Sequence, residues 1–148
     1  MTDLELTSNA FDDGEAIPEK YSCEGENVSP PLAWEGLPTG TESLALVVHD
    51  PDASSGDFTH WIAWNIDPEP GHLEEGTSAP GEGVNGRGEI GYMGPCPPPG
   101  HGAHRYFHQL YALDSTLQLD ATADSEQLKQ ALEGHILADA RLVGVYDR

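Results

Sequence analysis

Apolar side chains along this chain gather into a few short runs separated by Gly, Pro, Asp and Asn, and most of the runs have the length and branching of strands. Ser43 to His49 reads Ser-Leu-Ala-Leu-Val-Val-His, an unbroken apolar stretch that ends in Asp50-Pro51-Asp52 and predicts a buried strand. Asp57 to Ile66 predicts a second, aromatic strand closed by Asp67-Pro68. Arg105 to Leu113 predicts a third. If it begins near His104, alternation puts His104, Tyr106 and His108 on one face and Arg105, Phe107, Gln109 and Tyr111 on the other.

Helical spacing appears once, late in the chain. Leu128, Ala131, Leu132 and Ile136 follow Asp124 and Gln127, a capping-box pair, and predict an amphipathic helix over about 125–139. On this reading Gly134 and His135 are packing features of the helix, and Arg141 to Tyr146 is a short final strand. Residues 1–36 carry closely spaced turn signals (Asp12-Asp13-Gly14, Pro18, Glu24-Gly25, Asn27 to Pro31), so brief strands or extended loops are expected there. Residues 67–89, rich in Gly, Pro and Glu, predict a surface excursion with little regular structure. Several strands with one late helix imply a predominantly β, antiparallel fold, and 148 residues fit a single domain spanning 1–148.

Between the second and third long strands lies Gly94-Pro95-Cys96-Pro97-Pro98-Pro99-Gly100-His101-Gly102-Ala103. Its prolines and glycines cannot run through a helix interior or a central strand, so they form a stiff, shaped loop. The loop delivers His104 and Tyr106 side by side, which is the architecture of a pocket.

Seven histidines compete for a role in it. His60 and His104 lie beside polar or turn-rich sequence, as do Asp50 and Asp52, which share a side if the backbone is extended. One reading gathers Asp50, Asp52, His60, His104 and Tyr106 around one mouth. The other has the acids capping a turn and the histidines satisfying buried backbone groups, and spacing alone leans toward it. His101, His104 and His108 would form a metal-binding face on a helix, but the Gly and Pro before them oppose a helix, so neither metal nor cofactor is expected. The close aspartates are a weak glycosidase signal. Trp34, Trp61 and Trp64 are expected in the core or the pocket wall.

Charge and cysteine content restrict the partners. Six Lys plus Arg against 26 Asp plus Glu give a net charge of −20. Such a surface repels polyphosphate backbones and anionic headgroups, so nucleic acid and stable membrane association are not expected. The acids are spread along the chain, which suggests adaptation to a salty solvent, as in halophiles, rather than one acidic tract. Two cysteines, Cys23 and Cys96, are too few for a disulfide framework and have no C-x-x-C spacing. Reduced thiols, an inert Cys96 and a cytoplasmic location are therefore expected. No apolar stretch approaches the ~18 to 20 residues of a membrane span.

Asp50-Pro51-Asp52-Ala53, His60-Trp61, Gly94-Pro95-Cys96-Pro97-Pro98 and Gly102-Ala103-His104-Arg105-Tyr106, in this order and at these separations, resemble the phosphatidylethanolamine-binding protein family, also called the Raf kinase inhibitor protein family. The likeness is to its compact bacterial and archaeal branch, and Tyr21 to Leu32 and Glu133 to Ala138 share it. It covers essentially the whole chain. The resemblance implies an antiparallel, Greek-key β-sandwich-like fold with a small helical addition near the C-terminus. It also implies an anion pocket formed by Asp50, Asp52, His60, the Cys96-Pro97 backbone, His104 and Tyr106, accepting phosphate-like groups such as phosphorylethanolamine. Homodimers occur among bacterial relatives. The long C-terminal helix of the animal proteins is absent from this sequence, which weakens transfer of kinase regulation.

In such a pocket His60 or His104 N–H groups, the Tyr106 hydroxyl and free backbone N–H groups would donate to the anion. The aspartates would orient the histidines or receive the ammonium end of a zwitterion. Arg105, on the opposite strand face, is expected to point away and pair with an acid. Two positions depart from expectation: Ser54 stands where the family often has proline, and His108 is unusually polar for its strand. Three functions compete. The first is a non-enzymatic protein that binds a small phosphorylated or carboxylate ligand, with a regulatory role toward kinases or other proteins. The second is a hydrolase using His and Asp, and the third an interaction module with a vestigial pocket, a kinase being one such partner.

Overall fold

A computed structural model describes residues 4–53, 56–69 and 71–148. Ser54, and with it the departure at that position, lies outside the described residues. Two antiparallel sheets carry the fold. The smaller contains β1 (Glu5–Thr7), β2 (Leu32–Glu35) and β5 (His72–Leu73), in the order β1-β2-β5. The larger contains β3 (Ser43–Asp50), β4 (Phe58–Ile66), β6 (Gly81–Glu82), β7 (His104–Leu113) and β8 (Ile136–Tyr146), in the order β6-β4-β3-β7-β8. The chain enters through the small sheet, crosses to the large one at β3, returns for β5 and crosses again. Among the described residues of 67–89 the strands are the two-residue β5 and β6, in keeping with the Gly and Pro content of the region.

The continuous apolar run of β3 is explained by burial on both sheet faces. Leu44, Leu46 and Val48 pack with Trp61, Tyr106, Leu110 and, from the small sheet, Leu6 and Trp34. Ala45 and Val47 pack on the other face with Ile62, Trp64 and the helix residues Leu128 and Leu132. All three tryptophans are buried. Burial of each Leu or Val in these layers stabilises the fold by about 1.5 to 3 kcal/mol.

The helix α1 spans Ser125–Leu132 and begins with the capping box: the Asp124 carboxylate accepts from the Gln127 N–H, and the Gln127 side chain accepts from the Asp124 N–H. It stops short of the expected residue 139. Gly134 has φ +81°, a left-handed conformation that turns the chain out of the helix, and the Asp114 N–H takes the His135 carbonyl. Ile136 then pairs with Leu113 and begins β8. Its helical spacing from Leu132 is accidental, since Ile136 remains 45% exposed. Arg141 to Tyr146 is thus the second half of an eleven-residue strand.

The cysteines overturn the expectation of reduced thiols. Cys23 and Cys96, 73 residues apart, form a disulfide, and no free cysteine remains among the described residues. The proline-rich loop crosses the segment after the 3-10 turn Glu19–Tyr21. There the Cys23 N–H donates to the Pro95 carbonyl at 3.1 Å and the Gly94 N–H to Asn27 Oδ1 at 2.8 Å. A side chain at Gly94 would collide with the Tyr21 carbonyl and the Asn27 amide, so glycine permits the close crossing that joins the sulfurs. Linear spacing carries no trace of such a crossing.

Candidate functional site

Adjacent strand ends in the large sheet place the polar residues together. Because His49 pairs with Phe107, the last residue of β3, Asp50, lies near the first residues of β7. His104 Nδ1–H donates to Asp50 Oδ2 at 2.7 Å, and both side chains are buried. Asp50 Oδ1 accepts the Asp52 N–H at 2.8 Å, so the aspartate is fixed through both oxygens. On its far side His104 Nε2 meets Nδ1 of the exposed His101 at 2.6 Å.

His60 reaches the same place through a β-bulge. Val48 pairs with Trp61 but His49 with Thr59, leaving His60 as an extra residue in β4. Strict alternation would have sent His60 and Trp61 to opposite faces. The bulge instead sets the His60 ring edge-on to Tyr106 with centroids 5.1 Å apart, while Trp61 stays in the core layer that contains Tyr106. The Phe58 ring also packs edge-on to His60, with centroids 5.1 Å apart.

These groups open on a cavity of about 200 Å³ lined by Asp50, His60, Cys96, Pro97, His104 and Tyr106, with Ala53, Phe58, Met93 and Pro98 completing the wall. Six of the seven residues expected at the site line it. Asp52 does not. Asp50-Pro51-Asp52 is a turn rather than an extended segment, and the Asp52 carboxylate faces Arg105, accepting from Nε and Nη2 at 2.9 Å each and from the Arg105 N–H at 3.0 Å. Arg105 lowers the Asp52 carboxyl to about 2 and points away from the cavity. Phe58 and Met93 gave no chemical signal in the sequence, Pro98 stood out only as part of the loop motif, and His101 was noticed only for its spacing.

The donor inventory differs from expectation. His60 Nδ1–H is used on the Met93 carbonyl at 2.8 Å, and burial lowers its pKa, so the ring is neutral and its Nε2 is an acceptor. Among the described residues no buried side-chain N or O lacks a partner, and the His60 ring lines the cavity. The Tyr106 hydroxyl keeps its proton, because burial and the nearby Asp50 charge both raise its pKa. The cavity thus offers a phenol donor, an imidazole acceptor and a fixed carboxylate in a small, partly aromatic enclosure. Among the described residues no cluster of three or more His, Cys, Asp or Glu is arranged to hold a metal ion. Nor is any helix long and apolar enough to cross a membrane.

Comparison with known proteins gives a consistent result. A UPF0098 protein of Methanothermobacter thermautotrophicus is 47% identical over 98% of this chain and 99% of its own. LppC of Mycobacterium tuberculosis, a candidate lipoprotein by name, is 46% identical over 97% of this chain and 72% of its own. Among solved structures, CT736 of Chlamydia trachomatis, described as a homolog of phosphatidylethanolamine-binding protein, superposes with a TM-score of 0.94 at 42% identity, covering 100% of this chain and 99% of that one. YbcL of E. coli, described as a member of the mammalian family, gives 0.91 at 31% identity over 99% of each chain. The model of the phosphatidylethanolamine-binding protein family matches residues 7–147. With fold, strand-end pocket and these likenesses in agreement, the chain belongs to the phosphatidylethanolamine-binding protein family.

Proposed function

We propose that the protein is a non-enzymatic receptor for a small phosphate monoester, of which phosphorylethanolamine is the model. The observation that carries this reading is the mixture of donor and acceptors on the cavity wall. A fully ionised anion would meet the Asp50 carboxylate and the His60 lone pair as repulsive neighbours. A ligand bringing its own proton or ammonium would satisfy both while its remaining oxygens accept from Tyr106. At about 200 Å³ the cavity is smaller than the roughly 300 to 1,000 Å³ of drug-sized sites, which suits a headgroup rather than a larger metabolite. The Asp50–His104 pair ends on His101, with no serine, threonine or cysteine bonded to it among the described residues, so a receptor fits better than a hydrolase.

Calorimetric titration in high salt with inorganic phosphate, phosphorylethanolamine and acetate tests the reading. Phosphorylethanolamine should bind more tightly than acetate. Tyr106→Phe should weaken it about tenfold, the equivalent of one hydrogen bond to a charged group. Arg105→Ala, outside the cavity, should leave it unchanged. Equal, unsaturable heats from all three ligands would reject the receptor.

A further inference from the structure

The disulfide borders the cavity, since Cys96 lines it, and both Cys23 and Cys96 are exposed. An attacking thiol therefore has a path to the bond, and a change at Cys96 alters the wall itself. Arg148 adds a directional element. Its Nη1 lies 3.3 Å from Cys96 Sγ and 3.7 Å from Cys23 Sγ, with Glu24 at 3.7 Å from its Nε. A guanidinium beside one sulfur stabilises negative charge there when the bond opens.

The disulfide is also not the only tie between its two segments. The Cys23 to Pro95 backbone bond, the Gly94 bond to Asn27 and a bond from the Tyr92 hydroxyl to the Tyr21 carbonyl at 2.9 Å hold the same crossing. Opening it leaves the loop in place and changes the charge of the wall.

We propose that Cys23–Cys96 is a thiol–disulfide exchange site acting on the pocket, with a dithiol as its reaction partner. The gating of ligand rests on the receptor reading above; the exchange chemistry does not. A thiolate of the dithiol attacks Cys23 Sγ, forming a mixed disulfide as the Cys23–Cys96 bond breaks, and the electron pair leaves on Cys96 Sγ beside Arg148. The second thiol of the dithiol, having lost its proton to water, attacks its own sulfur in the mixed disulfide and expels the Cys23 thiolate, which takes up a proton. The dithiol is oxidised to a disulfide and the cysteine pair is reduced by two electrons. The resulting negative charge on Cys96 lies in the wall of a site that receives a phosphate, and it opposes ligand entry.

Dithiothreitol under native conditions, followed by alkylation and intact-mass analysis, reads the exchange directly. Two alkylated cysteines with unchanged far-ultraviolet circular dichroism are expected, and protection of the disulfide until the protein is denatured would overturn the site. Phosphorylethanolamine titration then reads the gating. Reduced parent and Cys23→Ser should each bind on the order of tenfold more weakly than oxidised parent, while the uncharged double variant Cys23→Ser/Cys96→Ser should bind severalfold more tightly than reduced parent. A double variant as weak as the reduced protein would overturn the charge mechanism in favour of a tether. Absence of binding in every state would reject the receptor and its gating together, leaving exchange to be decided by the alkylation result alone.

Discussion

His108 is buried to 2% exposure, with Nδ1 near the Tyr106 carbonyl at 3.1 Å and its ring 5.6 Å from Phe11. Desolvation lowers its pKa to about 4, and burial lowers that of His60 as well. An unfolded histidine takes up its proton near pH ~6.5. Between that value and about 4 the unfolded chain binds more protons than the folded one, so stability is complete above the window and falls as pH drops through it. Urea midpoints for His108→Gln should fall less between pH 7 and 5 than those of the parent, even if the variant starts lower. Parallel curves would remove His108 from the acid response. The sequence showed this histidine as an oddly polar residue in an apolar strand and by its spacing from His101 and His104, but not its burial, because that depends on a neighbour from the N-terminal segment, Phe11, that lies far away in the chain. Asp52 was misplaced for a related reason: a proline flanked by acids reads equally well as an extended segment or a turn, and the partner that decides between them, Arg105, lies 53 residues away.

Elements whose signals are local were legible, and those fixed by distant contacts were not. The Asp124–Gln127 capping box depends on residues three apart and stands where the sequence placed it. Asp124→Ala should cost about 1 kcal/mol by denaturant unfolding, with faster amide exchange in the first turn of α1. A change confined to noise would mean that packing of Leu128 and Leu132 alone holds the helix. The far end of α1 was overrun because periodicity continues through Gly134, whereas the backbone there follows the pairing of Ile136 with Leu113. The bulge in β4 was invisible for the same reason: His60 is an extra residue only relative to the register of β3. The family likeness nevertheless named six of the cavity's lining residues, since motif order survives where geometry cannot be read.

At the scale of the molecule, a net charge of −20 is spread over a surface with six basic residues, several of them already paired with acids. Screening shortens the range of that repulsion from about 10 Å at 0.1 M salt to about 3 Å at 1 M. The melting temperature should therefore climb steeply from low to molar salt, and a flat profile would end the inference of salt adaptation. The β3–β7 ladder has a further consequence. Its partners, Ser43 with Leu113 at one end and His49 with Phe107 at the other, are separated by between about 58 and 70 residues, and Asp50 and His104 meet beyond its last rung. Pairings of such separation form slowly, because the intervening chain must first be closed into a loop. During refolding the cavity is therefore expected to form only once the central sheet is complete, so that its appearance marks the native state rather than an intermediate.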